Sequence, residues 1–195
     1  MKKVLVIMGG PRRGQNTERL LDKFLEGLRD SKEETHIKKV YLKDMNINHC
    51  IGCGYCEKTG KCFMNDDMDT LYKDFDETDA VVIASPMFFN SVTSYTKTMI
   101  DRCQIFWSSK YVLKKSSIDR NKKRFGFFIS VAGAPEDDPD YFGPAKAVIK
   151  FFFRAINTEY RGDIFAANTD SIKTWEREEL MNRAYEAGKV FLKEL

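Results

Sequence analysis

Four of the five cysteines in the chain fall within one short segment, while the fifth, Cys103, lies apart from them. The four are Cys50, Cys53, Cys56 and Cys62, in the spacing C-x2-C-x2-C-x5-C. Closely spaced thiolates bind soft metals or act as redox groups. A secreted disulfide framework would spread its cysteines along the chain, so the pattern predicts metal or redox chemistry in a cytoplasmic protein. Cys103 falls on the apolar face of a predicted helix, which indicates a core residue.

A second candidate site is the segment GGPRRGQNT, which joins the first predicted strand to the first predicted helix. Free N–H groups at a helix N-terminus bind anions, and glycine lets the backbone approach a phosphate closely. Arg12 can add charge-assisted hydrogen bonds, while Asn16 and Thr17 can add neutral donors. The segment has neither the Gly-Lys-Ser/Thr ending of a P-loop nor the G-x-G-x-x-G fingerprint. The alternative is a glycine-rich turn that binds no ligand.

Alternating strand-like and helix-like elements must position these segments. Short apolar runs predict strands, and apolar residues at helical spacing predict helices between them. The predicted strands are Lys2–Met8, His36–Leu42, Asp79–Ala84, Arg124–Val131 and Tyr160–Ala167. The predicted helices start at Thr17 (as N-cap), at Asn65 or Asp66 (with Asp66 and Asp67 as caps), at Val92 (running to Phe106), at Pro144, and at Thr174 (running to Leu195). Lys110–Lys123 is predicted to be a surface excursion.

Five β–α units in one domain predict an α/β fold, with a doubly wound parallel sheet and helices on both faces. Ligands of such sheets bind outside the carboxyl ends of the strands. The loops expected to form a site are therefore Gly9–Asn16, Ser85–Ser91 and Ala132–Gly143. The cysteine-rich loop, at about 46–66, also follows a strand and is expected at the same end.

Length and composition narrow the number of domains and the classes of partner that the chain can have. The chain has 195 residues, 43% of them hydrophobic, which suits a single domain over residues 1–195. Its 32 Lys and Arg and 29 Asp and Glu give a net charge of +3 with interleaved signs, a pattern that does not predict nucleic-acid binding. No apolar run approaches the roughly 20 residues of a membrane span, and the run after Met1 is too short for a signal peptide. We therefore expect a cytoplasmic protein that binds neither nucleic acid nor membrane.

Two further segments follow GGPRRGQNT in the chain: SPMFFNSV, which starts at Ser85, and TMIDR, which ends at Arg102. These three segments resemble the G-S-P-R-x-x-G-N-T, S-P-x-Y-x-x-S/G-x and K-x-x-x-D-R motifs of the flavodoxin-like NADPH-dependent FMN reductases. The resemblance covers most of residues 1 to 135 and implies a five-stranded sheet of order 2-1-3-4-5. Gly10 replaces the usual phosphate-binding serine and Phe88 the usual tyrosine, so two hydroxyl contacts are lost.

The resemblance implies FMN as cofactor. FMN needs a phosphate cradle, a flat apolar wall for its ring system and backbone donors near the polar edge of the ring. The first loop offers the cradle and the second the wall, for which ordinary core packing is the alternative. The other side would be closed by Ser130 and by Gly133, which permits close approach. The predicted FMN-binding residues are Gly10, Pro11, Arg12, Gly14, Gln15, Asn16, Thr17, Pro86, Met87, Phe88, Phe89, Asn90, Ser91, Ser130 and Gly133.

The cysteine spacing resembles the C-x2-C-x2-C run of bacterial ferredoxins, in which one loop wraps a cubane. It is more similar still to the motif of the iron–sulfur flavoproteins, a branch of the same flavin-binding family. The resemblance implies a [4Fe–4S] cluster on Cys50, Cys53, Cys56 and Cys62. Structural zinc and reduced thiols without a cluster are the alternatives, although zinc sites usually separate two ligand pairs more widely. His49 is expected to be a solvated neighbour.

Three functions follow from these candidate sites. The first is an iron–sulfur flavoprotein that passes electrons between a [4Fe–4S] cluster and FMN. The second is an NAD(P)H-dependent FMN or quinone reductase without a cluster, and the third is a flavin- or phosphate-ligand binding module. In both enzymes the cofactors perform the chemistry, so no catalytic side chain is predicted. The resemblance also implies a homodimer or homotetramer and a ferredoxin-like or nicotinamide electron donor.

Overall fold

The structure, a computed structural model, describes residues 1–135, 140–193 and 195. Its centre is a five-stranded, all-parallel sheet of order β2-β1-β3-β4-β5. The strands are β1 (Lys2–Met8), β2 (Thr35–Tyr41), β3 (Ala80–Ala84), β4 (Phe125–Val131) and β5 (Glu159–Ala166). The predicted fold class and strand order are confirmed.

The burial of each strand reflects its place in the sheet. Every residue of β3 and β4 is buried, as expected for central strands with helices on both faces. The edge strand β2 contains partly buried and exposed residues, and none that is fully buried. This difference explains why the apolar runs of the central strands gave a stronger signal than the mixed sequence THIKKVY of β2.

Helices cover both faces of the sheet, as predicted. They are α1 (Asn16–Arg29), α2 (Tyr55–Thr59), α3 (Met68–Glu77), α4 (Ser94–Arg102), α5 (Gln104–Trp107), α6 (Gly143–Ala155) and α7 (Glu178–Val190). Side chains of α1 and α7 belong to one core cluster, and those of α3 to α6 belong to the cluster on the opposite face. Within the part of the chain that the structure describes, no helix is both long and apolar enough to cross a bilayer.

Four predicted helix starts are wrong, those of α1, α3, α4 and α7. α4 begins at Ser94 with Thr93 as its N-cap, so Val92 lies outside the helix. α1 begins at Asn16 with Gln15 as its N-cap, so Thr17 lies inside the helix. α3 begins at Met68, because the residues before it bond to the start of the cysteine segment, as described below. The C-terminal helix is also shorter than predicted, since a 3-10 turn at Thr174–Glu176 precedes α7 and the helix ends at residue 190. Residue 194 of that range, and residues 136–139 of the predicted 132–143 loop, lie outside the described residues.

The segment after α4 also departs from its prediction. The expected helix over 92–106 breaks at Cys103, which is 2% exposed and confirmed as a core residue. A π-helical turn follows at Ser108–Val112. Ile118 packs into the core with 2% exposure, so Lys110–Lys123 is not purely a surface excursion.

α1 and α7 approach each other so closely that both contain a glycine at the contact. A Cβ at Gly27 would lie 1.9 Å from the carbonyl oxygen of Tyr185, and one at Gly188 would lie 1.9 Å from that of Phe24. Both obstacles are backbone atoms, which cannot move aside by changing a rotamer. The two glycines therefore set the spacing of the helix pair that covers this face of the sheet.

We expect Gly27→Ala to lower the free energy of unfolding by about 1–3 kcal/mol, the usual cost of overpacking. Alanine is otherwise favoured over glycine inside a helix by ~1 kcal/mol, so a loss of stability reports the backbone clash. Urea titration followed by circular dichroism measures it. Arg29→Ala, at an exposed position of the same helix, is the control, with an expected change of about 0.5 kcal/mol or less. An unchanged or higher stability of Gly27→Ala would contradict the close helix contact.

Candidate functional site

A side chain of α1 fixes the conformation of the loop between β1 and α1, residues 9–15, which is called the phosphate loop here. The Gly14 N–H, at a φ of 66°, donates to Oε2 of Glu18 over 2.6 Å. Lys39 Nζ donates to Oε1 of Glu18 over 2.9 Å, and the Tyr41 hydroxyl donates to the same oxygen. Burial raises the pKa of Glu18, but these hydrogen bonds outweigh burial and bring the pKa down to about 2. Glu18 therefore stays ionised and positions the loop, a role that sequence analysis missed.

The loops predicted to bind FMN meet at the carboxyl end of the sheet around a hollow of about 90 Å³. The predicted residues that line it are Gly10, Pro11, Arg12, Gln15, Asn16, Thr17, Pro86, Met87, Phe88 and Gly133. The lining does not include Gly14, Phe89, Asn90, Ser91 or Ser130. Small-molecule sites usually enclose roughly 300–1,000 Å³, so the hollow suits one end of a nucleotide, such as its phosphate.

Two neighbouring side chains lie close to the position that a Cβ at residue 10 would occupy. A Cβ there would lie 2.8 Å from the terminal methyl of Met8 and 3.2 Å from Cδ of Pro86. A serine would have to displace the end of the Met8 side chain, which is 1% exposed. With no hydroxyl at position 10, Arg12 and the loop N–H groups are the hydrogen-bond donors available to an anion on this side of the hollow.

The segment after β5 forms the far wall of the hollow, which sequence analysis missed. Thr169, Asp170 and Lys173 line it. Asn16, predicted as a ligand donor, instead fastens this wall to α1: its Nδ2 donates to the Thr169 carbonyl over 3.2 Å, and its Oδ1 accepts from the Thr174 N–H over 2.9 Å. Polar residues directly after a strand, at the ligand-binding edge of the sheet, were the signal that could have found the wall.

Ser130 and Gly133 support the site from within the protein. The Ser130 side chain is fully buried, and its hydroxyl donates to the Ser85 carbonyl over 2.8 Å. A Cβ at Gly133 would lie 2.3 Å from Oδ2 of Asp170. Gly133 lines the hollow, but its missing side chain makes room for a protein carboxylate rather than for a ligand.

The loop after β3, Ser85–Ser91, is called the aromatic loop here, and it ends in a tight turn between Phe88 and Ser91. The Phe88 N–H donates to the Ser91 carbonyl over 2.9 Å, and the Ser91 N–H donates to the Phe88 carbonyl over 3.1 Å. The central residues, Phe89 at a φ of 49° and Asn90 at 57°, have the left-handed backbone of a type I′ turn, which is unusual for phenylalanine. Phe89 is completely exposed, whereas Phe88 is 45% exposed beside the hollow. Phe88 therefore offers aromatic surface at the site, and Phe89 projects into solvent.

The N-terminus of α4 contacts both the phosphate loop and the aromatic loop. Its N-cap, Thr93, accepts from the Thr96 N–H over 3.2 Å and donates from its hydroxyl to the Gly9 carbonyl over 2.6 Å. The Thr93 N–H donates to Oγ of Ser85 over 3.1 Å. A Cβ at Gly9 would lie 1.9 Å from Oγ1 of Thr96, so glycine is needed where the helix meets the loop. The start of α4 thus fixes the phosphate loop relative to the aromatic loop.

A separate cavity of about 370 Å³ lies beside the cysteine segment. All four predicted ligands line it: Cys50, Cys53, Cys56 and Cys62. It is also lined by residues at the end of α4 and the start of α5: Asp101, Arg102, Gln104 and Ile105. Gly52 and Gly54 have φ values of 65° and 71°, and a Cβ on either would meet nothing within 4 Å. These two glycines therefore serve the curvature of the loop and not its packing.

The four sulfur atoms border the cavity without converging on one point. Among residues 1–135, 140–193 and 195, no group of three or more His, Cys, Asp or Glu side chains is placed to hold a metal ion. Cys50 and Cys53 are exposed and Cys56 and Cys62 are partly buried, while His49 is exposed and does not line the cavity. The soft sulfur donors and the cavity suit an iron–sulfur cluster. Holding one would require the exposed thiols to move inward.

Two carboxylates predicted to be helix caps join the ends of the cysteine segment. Oδ2 of Asp66 accepts from the Asn48 N–H over 3.0 Å, and Oδ2 of Asp67 accepts from the Asn46 N–H over 2.7 Å. Oδ1 of Asp66 also accepts from the Met68 N–H over 3.1 Å at the start of α3. Asp67 makes no side-chain capping bond. Asp67 therefore occupies the predicted N-cap position, while the side-chain bond to the start of the helix comes from Asp66.

Arg102 forms a buried ion pair with Asp66 behind the cavity. Nη1 of Arg102 lies 2.6 Å from Oδ2 of Asp66 and its Nη2 lies 3.1 Å from Oδ1, with both side chains 1% exposed. Nη1 also donates to the Asn48 carbonyl over 2.8 Å. Burial raises the pKa of Asp66, but the bonds from Arg102 and the backbone outweigh burial and hold the pKa below its usual value.

The hollow and the cysteine cavity lie at opposite ends of α4. The helix has nine residues, so it separates its two ends by roughly 14 Å at about 1.5 Å per residue. The cysteine segment starts at the expected edge of the sheet, near the ion pair between Asp44 and Arg13. Its cavity lies against the end of α4 that is remote from the hollow.

Known proteins match the chain over this core. A family model described as NADPH-dependent FMN reductase matches residues 2–136. An iron-sulfur flavoprotein of Archaeoglobus fulgidus is 42% identical over 100 residues, which are 51% of this chain and 44% of that protein. Another, from Methanocaldococcus jannaschii, is 36% identical over 100 residues, which are 51% of each chain. The matched part of the chain thus spans about half the length of these curated relatives.

A solved structure shares the whole fold. The NAD(P)H:quinone oxidoreductase of Methanothermobacter marburgensis superimposes with a TM-score of 0.74, covering 99% of this chain and 97% of that one at 16% identity. At this identity the likeness concerns the fold alone. The family match, by contrast, includes the phosphate loop, the aromatic loop and the cysteine segment. The chain therefore belongs to the NADPH-dependent FMN reductase family.

Proposed function

We propose that the chain is an FMN-dependent oxidoreductase that passes electrons between FMN and a [4Fe–4S] cluster. One observation carries the proposal: the four cysteines of the C-x2-C-x2-C-x5-C segment line a single cavity in a chain of an FMN reductase family. Relatives named iron-sulfur flavoproteins support it. The [4Fe–4S] cluster distinguishes this function from that of a simple flavin reductase.

The hollow at the carboxyl end of the sheet would hold the phosphate end of FMN. Arg12 and the N–H groups at the start of α1 would bind its phosphate, and Pro86, Met87 and Phe88 would lie along its ring. When bound, FMN supplies a redox centre that accepts a hydride or single electrons. The residues of the chain orient it: Glu18 holds the phosphate loop, and Thr93 ties that loop to the aromatic one.

The cysteine cavity would hold the cluster through Cys50, Cys53, Cys56 and Cys62. Apolar side chains also line it: Ile51, Tyr55, Phe63 and Ile105. The Ser108 hydroxyl lies 3.5 Å from Sγ of Cys56, where it can donate to a ligand sulfur. Hydrogen bonds to sulfur and solvent exposure are among the features that set the potential of a cluster.

Electron donor and assembly are also part of the proposal. The family resemblance supports a ferredoxin-like or nicotinamide donor and a homodimer or homotetramer. Because α4 holds the two sites at its opposite ends, electrons would pass between them within one subunit or between neighbouring subunits.

An NAD(P)H-dependent FMN or quinone reductase without a cluster is the second candidate. The spread of the four sulfur atoms around the cavity favours it, since two of the thiols are exposed to solvent. In that case the cysteines would serve as redox or structural thiols. A flavin- or phosphate-ligand binding module without enzymatic activity is the third candidate.

Anaerobic purification followed by iron, sulfide and flavin analysis separates the three candidates. The proposed function requires a brown protein with bound FMN and about four irons per chain. A yellow, iron-free protein that oxidises NAD(P)H would support the reductase without a cluster. A colourless protein that cannot be loaded with flavin would leave only the binding module.

We expect Arg12→Ala to weaken FMN binding about 10- to 100-fold, because a charge-assisted hydrogen bond contributes ~1.5–3 kcal/mol. Fluorescence titration of the flavin measures the dissociation constant. Arg13→Ala is the matched control, since Arg13 pairs with Asp44, stacks on Tyr41 and does not line the hollow. Equal effects of the two substitutions would remove the phosphate assignment. Asn16 is not substituted in this experiment, because the loss of its bonds to Thr169 and Thr174 would also free the far wall of the hollow.

We expect Cys53→Ala to abolish or degrade the cluster, because three thiolates leave one iron open to water and loss. FMN should stay bound, since other loops form its site. Cys103→Ala is the control: it should keep the cluster and lose a little stability through a small core cavity. Iron content after anaerobic reconstitution is the measurement. A wild type that takes up no iron, or binds zinc instead, would contradict the cluster.

A further inference from the structure

We infer that Arg102 is a positioning residue of the cysteine site. Its ion pair with Asp66, here called the clasp, holds the backbone at the base of the cysteine loop and so fixes the position of the loop relative to its cavity. The clasp is a feature of this chain with or without a bound group. Its consequence for a cluster rests on the function proposed above.

The clasp holds the backbone of residue 48 through both of its polar groups. The Asn48 N–H donates to Oδ2 of Asp66, and the Asn48 carbonyl accepts from Nη1 of Arg102. Because both partners belong to one buried ion pair, the backbone at residue 48 is held in a single orientation. Cys50, the first cavity cysteine, follows two residues later. Its position therefore depends directly on the clasp.

The same pair closes the loop at its other end. Asp66 lies four residues after Cys62, the last cavity cysteine. A bond between residues 48 and 66 thus brackets all four thiols, and Arg102 connects that bracket to α4. Since Asp101, Arg102 and Gln104 line the same cavity as the cysteines, the bonds from Arg102 fix the base of the loop relative to this part of the cavity wall.

Stability alone does not explain the pair. Burying two charges costs free energy that their attraction often fails to recover, and apolar residues of similar volume commonly serve as well. Nε of Arg102 is buried with no hydrogen-bond partner among the described residues, so the guanidinium is not even fully satisfied. What apolar residues could not provide is the simultaneous hold on the N–H and the carbonyl of residue 48.

Arg124 is a matched control within the same chain. It is 1% exposed, its Nε also lacks a partner among the described residues, and it pairs with Asp76. Its remaining bonds go to the carbonyls of Asp76, Asp119 and Lys122, and it does not line the cysteine cavity. Arg124→Met should therefore reproduce the general cost of removing a buried arginine without affecting the cysteine loop.

The experiment compares wild type, Arg102→Met, Arg102→Lys and Arg124→Met. In iron-free protein, hydrogen exchange followed by mass spectrometry reports protection of the amides of residues 46–48, where the Asn46 and Asn48 N–H groups donate to Asp67 and Asp66. In anaerobically reconstituted protein, iron content over time reports the rate of cluster loss. We expect Arg102→Met to lose the protection and to lose the cluster about 10- to 100-fold faster, the usual effect of removing a residue that supports metal ligands. Arg102→Lys should be intermediate, since it keeps the charge but not the planar fork, and Arg124→Met should match wild type in both measurements.

Wild-type protection and wild-type cluster retention in a folded Arg102→Met protein would overturn the clasp, as would equal losses in Arg124→Met. If Arg102→Met does not fold, the double variant Arg102→Met with Asp66→Asn removes both charges and is held to the same expectation. If wild type takes up no iron, the proposed function fails. The exchange measurement on iron-free protein then still supports or overturns the clasp.

Discussion

Burial of both faces of the parallel sheet is the constraint on which the rest of the structure depends. β3 and β4 are buried along their whole length, so polar groups that could bind a ligand are confined to the loops. Parallel strands require a crossover between them, usually a helix that packs back on the sheet. The loops that enter these crossovers gather at one edge. Segments 10–17, 86–88 and 169–173, which are far apart in sequence, therefore surround one hollow.

α4 is the element that connects the two candidate sites. Its N-cap, Thr93, bonds to the phosphate loop and to Ser85 of the aromatic loop. Its last residue, Arg102, bonds to Asp66 and Asn48 at the base of the cysteine loop. A single helix thus sets how the flavin hollow and the cysteine cavity are placed relative to each other, and a shift of α4 would affect both.

The glycines of the two candidate sites differ in what surrounds them. Gly10 and Gly133 lie at the hollow, where a glycine is expected to admit a phosphate or a ring. Instead, Met8 and Pro86 crowd the side-chain position of Gly10, and Asp170 occupies that of Gly133. By contrast, Gly52 and Gly54 in the cysteine loop face open space and have positive φ values. These two glycines serve the backbone conformation of the loop and not its packing.

Local patterns in the sequence determined the fold class, all five strands, the phosphate and aromatic loops and the four sulfur donors, because periodicity, turn residues and cysteine spacing are properties of short segments. Even Glu18 left a local signal, since it stands three residues after the N-cap, where a glutamate often bonds back to the backbone. The tertiary structure alone decided that Asn16 bonds to Thr169 and Thr174 and that Arg102 bonds to Asn48. These partners lie more than fifty residues apart. The physical reason is that a side chain's hydrogen-bond partner is whichever distant backbone group the packed helices bring within reach, and no pattern in a short segment records that.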